Sequence, residues 1–164
     1  MSTESATGSE YLDLTGAPVS VGFLAMEYYG IMFNRTYAIS ATKTMVCGAK
    51  AFGSVGSPRS ALGMYKWRDP RNFIGRKTQD KYRGVNLESP EFLAVDKDNF
   101  QIYCADIAGI AFSPKKKMSM GGIPHSGTIT LRFAGQKARE FILLGDQDGV
   151  EIEAKLRAVC PNAK

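Results

Sequence analysis

Three features of this 164-residue sequence predict a mainly β protein, a barrel or roll closed by one C-terminal α-helix. Segments in which apolar and polar residues alternate follow one another between Glu91 and Leu144. Turn residues separate these segments, and a single capped amphipathic stretch comes last, so no helix is interleaved between parallel strands.

The second half reads most clearly. Phe92, Leu93 and Val95 precede Asp96-Lys97-Asp98-Asn99, and Phe100, Ile102 and Cys104 then alternate with Gln101 and Tyr103, which predicts a hairpin. Ile107, Ile110 and Phe112 form a strand that should end at Pro114, because proline cannot donate to a central ladder. A loop through Gly121-Gly122-Ile123-Pro124 leads to Thr128–Phe133, where β-branched and aromatic residues dominate. Ala134-Gly135-Gln136 is a tight connection, and Arg139 to Leu144 returns antiparallel. Asp148 and Glu151 then have the spacing of a capping box. Ile152, Leu156 and Val159 fall at i, i+4 and i+7, Glu151 is placed to pair with Lys155, and Cys160-Pro161 should stop the helix.

The first half is less regular. Tyr11 to Val21 has no clean period, and Phe23 to Phe33 can be written as a strand or as a short helix. Asn34-Arg35 is expected to be a turn, and Arg35–Ser40 and Thr42–Val46 to be β-rich. Gly48, Gly53 and Gly56 suggest bends or close backbone approach. Residues 1–10 are small, polar and acidic, which predicts a disordered tail before a single domain over 11–164, with a long connection at 59–89.

Composition sets outer limits. Apolar residues make up 44% and charged residues 23% of the chain, ordinary for a globular protein, and no apolar run approaches the length of a membrane span. Cys47, Cys104 and Cys160 are odd in number, widely spaced and set in apolar surroundings, which suits buried thiols in the cytoplasm. Between Lys66 and Arg83 lie seven basic residues against two acidic ones, a local excess equal to the whole chain's formal charge of +5. The basic residues are Lys66, Arg68, Arg71, Arg76, Lys77, Lys81 and Arg83, interleaved with Tyr65, Trp67, Phe73 and Tyr82. Two readings compete for this segment: a phosphate-attracting surface with rings for stacking, or aromatics covering an open end of the barrel beneath solvated charges, the commoner meaning of a charge run. Lys115, Lys116 and Lys117 admit the same two readings.

Catalytic motifs are scarce. His125 is the only histidine, so two-histidine metal sites are excluded. A dyad with a cysteine lacks any local sign of a lowered thiol pKa, and the plain alternative is a loop histidine before Gly127. The glycines from Gly48 to Gly56 lack the lysine and context of a phosphate-binding loop. Met118 and Met120 are expected to fold back on the core as adaptable filler, or else to form an apolar loop tip.

Taken together, the strands from Phe100 to Phe112, the basic loop at Lys115–Lys117, the Thr128–Leu144 hairpin and the final helix resemble the second half of a pleckstrin-homology-like domain, of the bacterial PH-like or GRAM-like kind. The resemblance covers residues 91–160. It implies a bent barrel of about seven strands plugged by the C-terminal helix, and a binding scaffold more than a catalyst. The expectation is a non-enzymatic interaction module without a cofactor, with a protein partner or self-association through a sheet edge. The alternative is an anionic-surface binder for lipid or nucleic acid, with Trp67 and the 66–83 charges as contacts.

Overall fold

A computed structural model of the chain describes residues 15, 19–31, 33–52, 66–74 and 77–164. The expected tail at residues 1–10, Arg76, Gly53 and Gly56 lie outside the described residues.

Seven strands form one antiparallel sheet: β1 (Val21–Tyr29), β2 (Phe33–Ala41), β3 (Met45–Phe52), β4 (Phe100–Tyr103), β5 (Ile107–Ser113), β6 (His125–Phe133) and β7 (Gln136–Leu144). Their order is β4-β3-β2-β1-β7-β6-β5. Two meanders, β1 to β4 and β5 to β7, are therefore joined where β1 meets β7, in register at Ala25↔Leu143 and Met26↔Ile142.

The sheet curls. Laid flat, β4 and β5 would stand about 29 Å apart, at roughly 4.8 Å per strand. Yet only the 3-10 turn Cys104–Asp106 connects them, and four Cα steps reach no more than about 14 Å. The expected barrel is not closed by hydrogen bonds, because β4 and β5 remain the two ends of the sheet. Phe23, Ile39, Phe141 and Leu143 share one face of the sheet and are buried in the core with Val46, Ile110 and Leu131, while Leu24, on the opposite face, is buried as well.

Among the described residues, three short or medium α-helices accompany the sheet: α1 (Thr78–Tyr82), α2 (Pro90–Val95) and α3 (Gly149–Val159). The closing helix is the one the sequence predicts. Asp148 accepts a hydrogen bond from Glu151 N at 3.0 Å, Glu151 pairs with Lys155 at 2.7 Å and Glu153 with Arg157 at 3.0 Å, while Ile152 and Leu156 are buried. The Phe112 ring sets the contact between helix and sheet. A Cβ at Gly149 would fall within 2.5 Å of three of its atoms, and one at Gly127 within 2.7 Å of Cε2, so both positions need glycine's bare backbone.

Several local expectations change. The segment before Asp96 is helix α2, not the first arm of a hairpin: Pro90 sits where a helix start tolerates its missing N–H, Glu91 is in the first turn, and Phe92 alone turns fully into the core. Residues 23–29 belong to a strand, and the turn lies at Gly30, with φ +75°, three or more residues before the expected site. Asn34 and Arg35 are paired in β2 opposite Tyr28 and Glu27. Cys104 lies in the 3-10 turn and not in β4. His125 is in β6 at a register shift, and not in a loop.

Both edges are short or covered. Lys164 N donates to Ala108 O at 3.0 Å, Ile110 N donates to Lys164 O at 3.3 Å, and Arg157 Nη2 donates to Ile110 O, so chain from beyond α3 shields β5. Four-residue β4 faces an open cleft of about 730 Å³ lined by Gln101, Phe133, Lys137 and Arg139. No helix among the described residues is long and apolar enough to cross a membrane.

Candidate functional site

The basic connection folds back against the sheet. Trp67 packs on Phe73 at 4.1 Å, and Phe73 and Tyr82 are fully buried, so its described rings lie against the core. Arg68 pairs with Asp146 at 3.0 Å, Arg71 with Asp69 at 2.6 Å and Arg83 with Asp80 at 3.4 Å. The Arg71 guanidinium holds the Asp69 carboxyl below its ordinary range. Lys66, Lys77 and Lys81 are exposed. A backbone bond anchors the segment, Asp146 N donating to Arg68 O at 2.8 Å, and within it the Asn72 side chain donates from Nδ2 to Lys66 O at 2.6 Å.

Asn99 fastens the rest of the connection. Its Oδ1 accepts from Lys50 N at 2.8 Å and Tyr82 Oη at 2.8 Å, and its Nδ2 donates to Phe92 O at 2.8 Å. Burial pushes the Tyr82 hydroxyl pKa up to about 12. Beside Asn99, Asp98 meets Lys50 at 2.6 Å and Arg35 at 3.2 Å, and the Lys50 ammonium above all holds its carboxyl low.

His125 is held by backbone on both sides. Nε2 accepts from Lys117 N at 2.9 Å and Nδ1 stands 2.9 Å from Ile123 O, an arrangement that requires the neutral ring with its proton on Nδ1. Its role is to tie the Lys115–Lys117 loop to β6. Lys116 Nζ donates to His125 O, Lys117 Nζ pairs with Glu140 at 2.8 Å, and Lys115 is exposed. Of the two methionines, Met120 is buried and Met118 stands 99% exposed.

All three cysteines are free and buried. Burial pushes Cys47 and Cys160 up to about 12, the latter assisted by its contact with Cys104. A thiol that stays protonated is a poor nucleophile. Native protein at pH 8 is expected to react slowly with a thiol-specific disulfide reagent and to titrate three thiols at once in denaturant; one fast thiol in the native state would contradict this. Because the folded form keeps protons that the unfolded chain releases, the contribution of these thiols is complete below about pH 8.5 and is lost as pH rises toward 12.

The exposed apolar groups lie elsewhere. Tyr29 and Phe33 stack at 5.8 Å across the mouth of the β1–β2 hairpin, the Arg35 guanidinium lies 3.8 Å from the Tyr29 ring centre, and Ile31 in the turn is 97% exposed. Tyr28 Oη donates to Ser119 O at 3.2 Å, which brings the Met118 loop to the same end. In the sequence, residues 23–33 form one apolar run, which conceals this tip. The signal was Gly30 in the middle of that run, a breaker that sets Tyr29, Ile31 and Phe33 around a turn.

Among the described residues, no group of three or more histidine, cysteine, aspartate or glutamate side chains could hold a metal ion. The chain matches no protein-family model and no curated protein.

Proposed function

We propose that this chain is an interaction module of pleckstrin-homology-like type, working without catalysis from loops at one end of a curled sheet. Two antiparallel meanders of four and three strands, followed by a helix packed on β1, β5 and β6, support the PH-like reading. The observation that carries the function is the tip formed by Tyr29, Ile31, Phe33 and Met118, whose exposed apolar surface serves no purpose in the core. Engagement of His125 by the scaffold and retention of protons on Cys47 and Cys160 support a non-catalytic role. Three free, buried thiols suit a cytoplasmic setting.

The 66–83 segment is the alternative contact, through Lys66, Lys77 and Lys81, which keep exposed charge. The loop tip is better supported, because the segment's described rings are committed to the core and three of its arginines have carboxylate partners. A photo-crosslinking residue placed at position 33 in the producing cell is expected to give discrete adducts, with protein or lipid, that are absent when the same group replaces exposed Lys81 or Val150. Equal labelling at all three positions would refute the loop-tip reading, and adducts at position 81 alone would favour the basic segment.

A further inference from the structure

Cys104 and Cys160 form a buried pair of thiols that the interaction reading leaves without a role. Cys104 opens the 3-10 turn that links β4 to β5, and its N donates to Thr44 O at 2.8 Å, just before β3. Cys160 is the C-cap of α3, its N donating to Leu156 O at 2.9 Å. The residues after it run beside the β4–β5 turn. Ala163 N donates to Cys160 O at 3.0 Å, Lys164 N donates to Ala108 O at 3.0 Å, and Asn162 shares the wall of the open cleft with Ala105 and Asp106. Where these segments cross, the two thiols meet in a side-chain hydrogen bond within one apolar core. Cys47 is engaged elsewhere, its Sγ donating to Leu87 O at 3.4 Å.

A disulfide forms only between sulfurs that the backbone already brings together, and this crossing does so. It lies at the gap in the sheet, where β4 and β5 are the two unpaired ends. An oxidant has a route to one sulfur: Cys104 is 6% exposed, between exposed Tyr103 and Ala105 on the cleft wall, whereas Cys160 is fully buried. We propose that Cys104 and Cys160 are a reversible oxidation site, at which a hydroperoxide converts the pair to a disulfide that fastens the end of α3 to the β4–β5 turn. The Cys104 sulfur attacks the peroxide, an S–O bond forms as the O–O bond breaks, and water leaves with the thiol proton. The Cys160 sulfur then attacks the resulting sulfenic acid; the S–S bond forms, the S–O bond breaks, and a second water carries away the Cys160 proton. Two thiols are oxidised and one peroxide is reduced. Contact between the sulfurs lets the second step outrun further oxidation of Cys104, and exchange with a cellular thiol restores the pair. This site is independent of the loop-tip reading.

The test is treatment of the native, reduced whole chain with hydrogen peroxide, followed by alkylation in denaturant, intact mass measurement and peptide mapping. The expected product is a monomer lighter by two hydrogen atoms, with Cys104 linked to Cys160 and Cys47 alkylated. Its urea midpoint should rise, because the bridge closes a long loop of the unfolded chain, and should fall back on addition of dithiothreitol. The same oxidant applied to chain already unfolded in urea should give mixed pairings, so that selectivity belongs to the fold. Cys104→Ala and Cys160→Ala should each abolish the bridge, and Cys47→Ala should leave it intact, with circular dichroism confirming that each variant is folded. The wild-type peptide map decides the question even where a variant fails to fold. Mixed pairings in the native chain, a bridge that includes Cys47, separate sulfinic or sulfonic acids, or three thiols that survive peroxide unchanged would each overturn the proposal. A Cys104–Cys160 bridge that left the urea midpoint unmoved would overturn its role as a fastening.

Discussion

Asn99→Ala is expected to cost about 3 kcal/mol of folding stability, a large effect for the loss of one amide. The side chain is almost wholly buried and serves three groups from three parts of the chain: Lys50 N in β3, Tyr82 Oη at the end of α1 and Phe92 O in α2. Alanine fills none of these roles. Tyr82 keeps a longer bond to Lys50 O at 3.3 Å, but Lys50 N and Phe92 O lose the amide partner, and each unsatisfied buried group costs about 1 to 3 kcal/mol. The loss should appear in urea as a lower midpoint with an unchanged slope. Asn86→Ala is the matched control. Its Oδ1 accepts from Glu88 N at 3.0 Å, but in an exposed turn where water can replace it, so a cost below about 1 kcal/mol is expected. If Asn99→Ala were no worse than Asn86→Ala, the network would not hold the connection to the sheet.

Asn99 also shows what the sequence leaves illegible. In one dimension it is the last of four polar residues before a strand, a turn residue like many others. Its value comes from contacts 49 and 17 residues away, which no local pattern records. The elements that were readable carry their cause in a few adjacent residues: the Asp148 cap with the Ile152/Leu156 stripe, Pro114 after β5, and the alternation of β6 with β7. Those that were misread depend on neighbours. Ser89-Pro90-Glu91 starts a helix as readily as a turn, and only the pocket that receives Phe92 decides between them. Residues 23–29 needed β2 and β7 on either side to become a strand. The surface was harder still. Charge density at 66–83 was visible, and of its two readings the burial of Phe73 and Tyr82 agrees with the one that turns aromatics toward the protein; the exposed tip lay inside an apolar run.

Gly48→Val is expected to destabilise the protein by about 3 kcal/mol, at the upper end of the usual overpacking penalty. Gly48 is paired with Phe100 across β3 and β4, and a Cβ added there would lie within 2.7 Å of Cδ1, Cε1 and Cζ of that ring. A flexible side chain would step aside at small cost. This ring is confined: Tyr37 meets it edge-on at 5.1 Å, Phe141 stacks at 5.7 Å, and the Arg139 guanidinium, itself bound to Glu27, covers it at 4.0 Å. Two opposing effects decide the sign. Replacing glycine in a strand restricts the unfolded chain and by itself favours folding by about 0.4 to 1 kcal/mol, so the steric term must exceed this to destabilise. With the ring enclosed on three sides it does, and the strain falls on β4, a four-residue edge strand that among the described residues pairs with β3 alone. Phe100→Leu in the same chain should recover part of the loss, because a smaller side chain leaves room for the new one. The double variant should therefore be more stable than the sum of the single effects implies, with a coupling of about 1 kcal/mol or more. Strict additivity, or a Gly48→Val protein as stable as the wild type, would mean that the ring moves freely and that the close approach of β3 to β4 is no constraint.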